Sequence, residues 1–192
     1  MSESFEVEVK VAIDDIDEMR QKLIDLGAKV LNSEVQIDMY YDHPCRTFVK
    51  TDEAIRIRTR SPLNNQRLAT SFAPNELTYK GPKLDETTKT RVEYSVGIDD
   101  TDQLNFILES LSFKPIATVT KKRTFFEHRN TTISIDDVED VGIFLELESI
   151  AHKKDEMESA KRVIFEILEE LGIDAEQTIR DSYLEMYMDR RR

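Results

Sequence analysis

The stretch Glu6-Val7-Glu8-Val9-Lys10, with Phe5 before it and Val11 after it, decides how the rest of the chain is read. Successive side chains of an extended strand point to opposite faces. Phe5, Val7, Val9 and Val11 then share one face, and Glu6, Glu8 and Lys10 share the other. The carboxylates fall roughly 6–7 Å apart along the strand. That spacing suits two oxygen donors converging on a hard divalent cation, with an ammonium beside them for a phosphate. A half-exposed strand with a solvated outer face gives the same alternation. Whether other strands repeat it separates the two readings.

They do repeat it. Arg56 and Arg58 alternate with Ile55 and Ile57, Lys80 follows Tyr79, and Arg91 and Glu93 alternate with Val92 and Tyr94. Lys121 and Arg123 share a face, as do Ser134 and Asp136, and Glu146 and Glu148 alternate with Leu145 and Leu147. Pooled, the charged face holds Lys10, Arg56, Arg58, Lys80, Arg91, Lys121 and Arg123 against Glu6, Glu8, Glu93, Asp136, Glu146 and Glu148.

Around these strands, apolar residues at Ile16, Met19, Leu23 and Leu26 have helical spacing, with Asp14 or Asp15 to cap the start and Gly27 to end it. A second helix is expected from about Thr101 to Ser112, burying Leu104, Ile107, Leu108 and Leu111. A third, about Glu156–Leu171, carries Ala160, Val163, Ile164, Ile167 and Leu168 on one side and stops at Gly172. The tail Ser182–Asp189 forms a short helix. Strands are expected at Val35–Tyr41, Ala54–Arg60, Thr78–Lys80, Arg91–Ile98, Val119–Phe126, Thr132–Asp136 and Phe144–Ser149. Residues 61–76 read as a long loop, Gly81-Pro82 as a strand stop and Lys83–Lys89 as a charged connection.

Val11–Asp17 echoes Val96–Asp102, and the same spacing pairs Glu8 with Glu93 and Gln36 and Asp38 with Lys121 and Arg123. The expectation is one domain over 1–192, with halves at about 5–83 and 90–150 and carboxy-terminal helices over 156–189.

Two architectures satisfy the pooled face. One is an open antiparallel sheet with a wet outer surface. The other is an α+β fold: about eight antiparallel strands closed into a barrel, charges inward and helices on the apolar outside. A dry charged interior is not viable, because each unpaired buried ion costs several kcal/mol. The lumen of such a barrel must hold water, metal ions and an anionic ligand. Arginine forks and lysine ammoniums suit phosphate oxygens, and carboxylates suit Mg²⁺ or Mn²⁺ bound partly through those phosphates.

Composition narrows the classes further. A net charge of −12, from 27 basic and 39 acidic residues, argues against a nucleic-acid binder. It does not oppose a cationic lumen, since charges beyond ~10 Å are screened in salt. The lone Cys45 excludes an internal disulfide and fits a reducing cytoplasm. The polar amino terminus predicts no signal peptide, and no run reaches the ~20 apolar residues of a membrane span. His43, His128 and His152 lack ligand spacing and read as surface residues; no glycine-rich phosphate loop is present.

The ordered motifs resemble the CYTH superfamily, named for class IV adenylyl cyclases and thiamine triphosphatases. Glu6-Val7-Glu8-Val9-Lys10 matches its ExExK signature. The similarity continues through Asp38-Met39-Tyr40-Tyr41-Asp42, Ala54-Ile55-Arg56-Ile57-Arg58, Thr78-Tyr79-Lys80-Gly81-Pro82, Arg91-Val92-Glu93 and Lys121-Lys122-Arg123. It ends with Asp136-Asp137-Val138, Gly142–Glu148 and Ser182-Tyr183-Leu184. The resemblance implies an eight-stranded tunnel for a triphosphate and a divalent metal. It implies that Glu6, Glu8, Glu146 and Glu148 bind Mg²⁺ or Mn²⁺, with Glu93 and Asp136 supporting metal or water. Lys10, Arg56, Arg58, Lys80, Lys121 and Arg123 then cradle the phosphates; Arg91 joins them or positions Glu93. Catalysis would fall to Glu6, Glu8, Lys10, Glu93 and Asp136. Many relatives have a basic residue directly before Ser-Tyr, where this chain has Asp181, with Arg180 one step earlier. The implied reaction is that of a class IV adenylyl cyclase, ATP to cyclic AMP and pyrophosphate. The alternatives are an inorganic or organic triphosphatase, or a non-catalytic nucleotide or polyphosphate sensor. The resemblance also implies a homodimer, while charge and hydropathy predict neither nucleic acid nor membrane as a partner.

Overall fold

The computed structural model describes residues 5–63, 73–84 and 90–191. The strands are β1 (Phe5–Ala12), β2 (Lys29–Asp42), β3 (Ala54–Pro62), β4 (Asn75–Lys83), β5 (Arg91–Ile98), β6 (Lys114–His128), β7 (Thr131–Val138) and β8 (Gly142–Ala151). They close into one antiparallel barrel in the order β1-β5-β4-β3-β2-β6-β7-β8. Exchanging β1–β4 with β5–β8 maps this order onto itself. The helices are α1 (Ile16–Asp25), the single-turn α2 (Phe48–Thr51), α3 (Thr101–Ser110), α4 (Met157–Glu170) and α5 (Tyr183–Asp189). No helix among the described residues is long and apolar enough to cross a membrane.

The alternation of β1 sorts its side chains as the sequence suggests. Val7, Val9 and Val11 face outward with Ile133, Ile135, Leu145 and Leu147, and α1 and α4 cover them with Met19, Leu23, Ile164, Ile167 and Leu168. All twelve are buried, and full burial of such a side chain contributes about 1.5–3 kcal/mol. Asp15 caps α1, accepting from the backbone N–H groups of Asp17 and Glu18, and Gly27 follows it at φ +88°, in the left-handed region that favours glycine.

Three expectations are corrected. The proposed loop over 61–76 is shorter: β3 runs through Pro62 and β4 starts at Asn75, while residues 64–72 lie outside the described residues, as do 85–89 of the charged connection. Gly81-Pro82 does not stop β4. The β4–β5 pairing shifts register between Lys80 and Lys83, and such an irregularity absorbs a proline that cannot donate to the ladder. The stripe of α3 is only partly buried. Leu108 is covered and Leu104 packs partly against the barrel, but Ile107 is 51% and Leu111 60% exposed. This short helix touches the curved barrel along one narrow line.

Candidate active site

The inward positions form the bore. At one end they are apolar: Tyr40, Val119, Val138 and Phe144 make a collar on which Tyr183 and Leu184 of α5 pack. Ser182 fixes the start of α5 through a capping box with Glu185. Below the collar the lining turns ionic. A cavity of about 330 Å³ reaches from α5 and α2 into the bore, and a second of about 720 Å³ opens at the opposite end. Glu6, Arg56, Arg58, Arg123 and Glu148 line both.

On β3 the arginines are held by acids of neighbouring strands. Arg58 forks onto Asp38 of β2 through bonds of 2.6 and 2.7 Å. Arg56 lies 3.6 Å from Asp38 and 3.5 Å from Glu76 of β4. Its Nε–H is buried without a hydrogen-bond partner. Arg60, outside the expected set, joins Glu34 at 3.2 Å and Glu76 at 2.9 Å. Burial pushes the Asp38 carboxyl up, but Arg58 and Arg56 outweigh it and hold the group well below the usual carboxylate range.

On the far wall Arg123 pairs with both Asp136 and Glu146. Lys121 lies 3.5 Å from Asp136, which also accepts a 2.8 Å bond from the Tyr183 hydroxyl. Burial, with Arg123 adding like charge, lowers the Lys121 ammonium to about 8. Burial raises the Tyr183 phenol, helped by Asp136.

The acids divide into two groups. Glu8 and Glu148 are register partners across β1 and β8, and Glu6 shares hydrogen bonds with Glu148 and Glu93. Lys80 bridges Glu6 at 3.1 Å and Glu93. Burial pushes Glu148 well up, and the charges of Glu6 and Glu8 add to that. Burial also raises Glu93. For Glu6 burial is outweighed by Lys80 and these hydrogen bonds, so its carboxyl stays low. Glu146 is instead engaged by Arg123. Among the described residues no three acids, histidines or cysteines stand close enough to form a metal cage alone. The donor set nevertheless fits a hard cation. Glu6, Glu8 and Glu148 offer only carboxylate oxygens, and Glu8 and Glu148 stand directly opposite one another across β1 and β8. Mg²⁺ characteristically takes one or two carboxylates and completes its shell with phosphates and water.

Of the sequence-expected residues, Glu6, Glu8, Arg56, Arg58, Lys80, Arg91, Lys121, Arg123, Glu146 and Glu148 line the first cavity, and Glu93 the second. Asp136 is buried behind Lys121 and Arg123. Arg91 contacts Asp52 at 3.4 Å. Lys10 lines neither cavity: its ammonium donates to the Asp181 carbonyl and lies 4.3 Å from the Tyr183 ring centroid. Arg180 is exposed, while Asp181 lines the first cavity. Sequence reasoning did not single out Asp38, Glu34 and Glu76 as counter-ions. The period-two run Glu34, Gln36, Asp38, Tyr40 was the signal for the first two.

A profile of the CYTH domain family matches residues 4–183. The chain belongs to the CYTH family. The CYTH protein named "Putative adenylate cyclase MJ0240" of Methanocaldococcus jannaschii is 38% identical over 181 residues, covering 94% of this chain and 97% of that one. Adenylate cyclase CyaB of Aeromonas hydrophila is 25% identical over 180 residues, covering 93% and 86%. The structure of the PH1819 protein of Pyrococcus horikoshii OT3 superposes with a TM-score of 0.84 at 38% identity, over 96% of this chain and 99% of that one. The CYTH barrel and its outer helices are therefore this chain's architecture.

Proposed function

We propose that the bore binds the phosphates of a triphosphate together with a divalent cation and transfers a phosphoryl group, on ATP in the manner of a class IV adenylyl cyclase. The observation that carries this reading is Arg56. Its guanidinium is buried in the segment common to both cavities, and its Nε–H has no acceptor, a deficit that a phosphate oxygen fills. Arg58 and Arg123 stand ready-oriented by their acids, and Lys80 and Lys121 add point charges. Such fixed donors stabilise charge spread over the phosphoryl oxygens without reorganising. Mg²⁺ or Mn²⁺, held by Glu6, Glu8 and Glu148 with the substrate's own oxygens, would neutralise further phosphoryl charge. Glu93, pushed up by burial beside Glu6, can keep a proton at neutral pH and donate it to that carboxylate.

In the cyclase reaction the ATP 3′-hydroxyl attacks the α-phosphorus and pyrophosphate leaves. The names of two relatives across nearly the whole chain support that choice. The second reading is hydrolysis of a terminal phosphate. It is favoured by the acids Asp52, Glu53 and Asp181, which line the first cavity and could hold a water there. A homodimer and a cytoplasmic location belong to the same reading. The outward apolar side chains Tyr94, Val96, Phe106 and Ile107 would serve pairing, and the free Cys45 suits a reducing compartment.

One assay decides: purified protein with Mg²⁺ or Mn²⁺ and ATP or inorganic triphosphate, with products resolved by chromatography. Cyclic AMP plus pyrophosphate is expected. Orthophosphate selects the hydrolase, and tight binding without turnover overturns the enzyme reading in favour of a sensor.

A further inference from the structure

The second cavity has a character that a phosphate site does not explain. Gln36 lies on the inward face of β2, fully buried, and lines this cavity. Its Nε2 donates to Glu34 Oε1 at 2.6 Å, and its Oε1 has no partner. Turning the amide over is disfavoured. It would set oxygen against a Glu34 carboxylate whose same Oε1 already accepts from Arg60 at 3.2 Å. The unpaired atom is thus a hydrogen-bond acceptor. Phosphate oxygens are acceptors too, so Gln36 Oε1 is made for a different part of a ligand, one that carries a donor.

The rim agrees with this. Towards this end β6 and β8 contribute Phe125 and Ile150 to the lining, joined by Leu31 of β2. Leu31 and Ile150 are about half exposed. Phe125 offers a ring face beside the Arg123 guanidinium, whose Cζ is 5.6 Å from the ring centroid. These apolar side chains edge a cavity whose depth is otherwise charged, and a ring face beside a buried amide acceptor suits a flat organic group joined to phosphates. The cavity lies across the shared arginines from the end that α5 covers.

Resting on the reading that the bore holds a triphosphate, we propose that this second cavity receives the organic end of the substrate. There Gln36 Oε1 accepts a hydrogen bond from a donor on a nucleobase that lies against Phe125. Gln36 is then a specificity-determining residue and leaves the phosphate cradle untouched.

The test is calorimetric titration, with Mn²⁺, of wild type, Gln36→Met and Phe125→Ala by ATP, by the triphosphate of unsubstituted purine riboside, and by inorganic triphosphate. The purine riboside compound lacks the exocyclic amine. Wild type should bind ATP roughly tenfold tighter than this compound, the ratio expected for one buried hydrogen bond. Gln36→Met should erase that ratio and change inorganic triphosphate binding by less than twofold. Phe125→Ala should weaken both nucleotides several-fold and spare inorganic triphosphate, which keeps the test alive if Gln36→Met does not fold. The proposal is overturned if ATP binds Gln36→Met as tightly as wild type, if Phe125→Ala leaves ATP unchanged, or if either variant loses inorganic triphosphate equally. Wild type that binds no inorganic triphosphate would overturn the triphosphate reading itself.

Discussion

Arg58 and Asp38 meet as a two-bond fork, Nε to Oδ1 at 2.6 Å and Nη2 to Oδ2 at 2.7 Å, with both side chains buried in the wall of the bore. The pairing shows how buried arginines are held in the wall of the bore. Each guanidinium is oriented by an acid from a neighbouring strand, so the bore is not a ring of bare cations.

Removing that acid should expose the cost. Asp38→Ala leaves Arg58 and Arg56 without their shared carboxylate, and breaking one side of a buried pair destabilises by about 3–5 kcal/mol. Thermal unfolding should show this loss. Inorganic triphosphate should raise the Tm of the variant more than that of wild type, since it supplies the missing negative charge.

Lys121 sets a pH dependence. Its folded pKa of about 8 lies below the ordinary lysine value near 10.4. Below pH 8 the lysine is charged in both states and its burial costs about 3 kcal/mol. Between about 8 and 10.4 the unfolded chain binds more protons, so stability rises with pH. On the proposed reading triphosphate binding runs the other way, because the Lys121 ammonium is lost above pH 8. Calorimetry in buffers of different ionisation enthalpy should detect proton uptake on binding near pH 8.5, and Lys121→Arg should abolish it.

Glu148 couples stability to metal. Burial, with Glu6 and Glu8, raises its pKa, so its contribution to stability is present below the unfolded pKa near 4.3 and is lost as pH rises through the folded value. Glu148→Gln removes that loss. In metal-free buffer it should stabilise the protein at pH 7 and change it little at pH 4. Mn²⁺ should raise the Tm of wild type and not that of the variant, and the variant should lose turnover.

The α5 cover depends on Tyr183. Its hydroxyl bonds Asp136 and its ring packs on Phe144 at 5.2 Å between centroids. Tyr183→Phe removes the bond alone and should cost about 1 kcal/mol. Limited proteolysis should then cut the carboxy-terminal segment faster while the barrel stays intact.

Much of this was legible in the sequence because the period-two alternation is local. The span Arg91–Ile98 of β5 and the inward and outward faces of β1 and β8 follow from it directly. What was missed depends on partners far along the chain. β2 begins at Lys29 and β6 at Lys114, and each carries residues of low strand propensity, Asn32, Ser33 and Pro115, because the two pair with each other over most of their length. The counter-ion roles of Asp38, Glu34 and Glu76 depend on the β2–β3–β4 register, which no single strand encodes. The turn of Lys10 toward Asp181 is of the same kind: it joins the first strand to the segment that leads into the last helix.

The most direct test is calorimetric titration of the purified protein with inorganic triphosphate in the presence of Mn²⁺. The bore described here predicts one saturable site per chain, weakened at least tenfold by Arg56→Met. No saturable binding, or binding that Arg56→Met leaves unchanged, would contradict it.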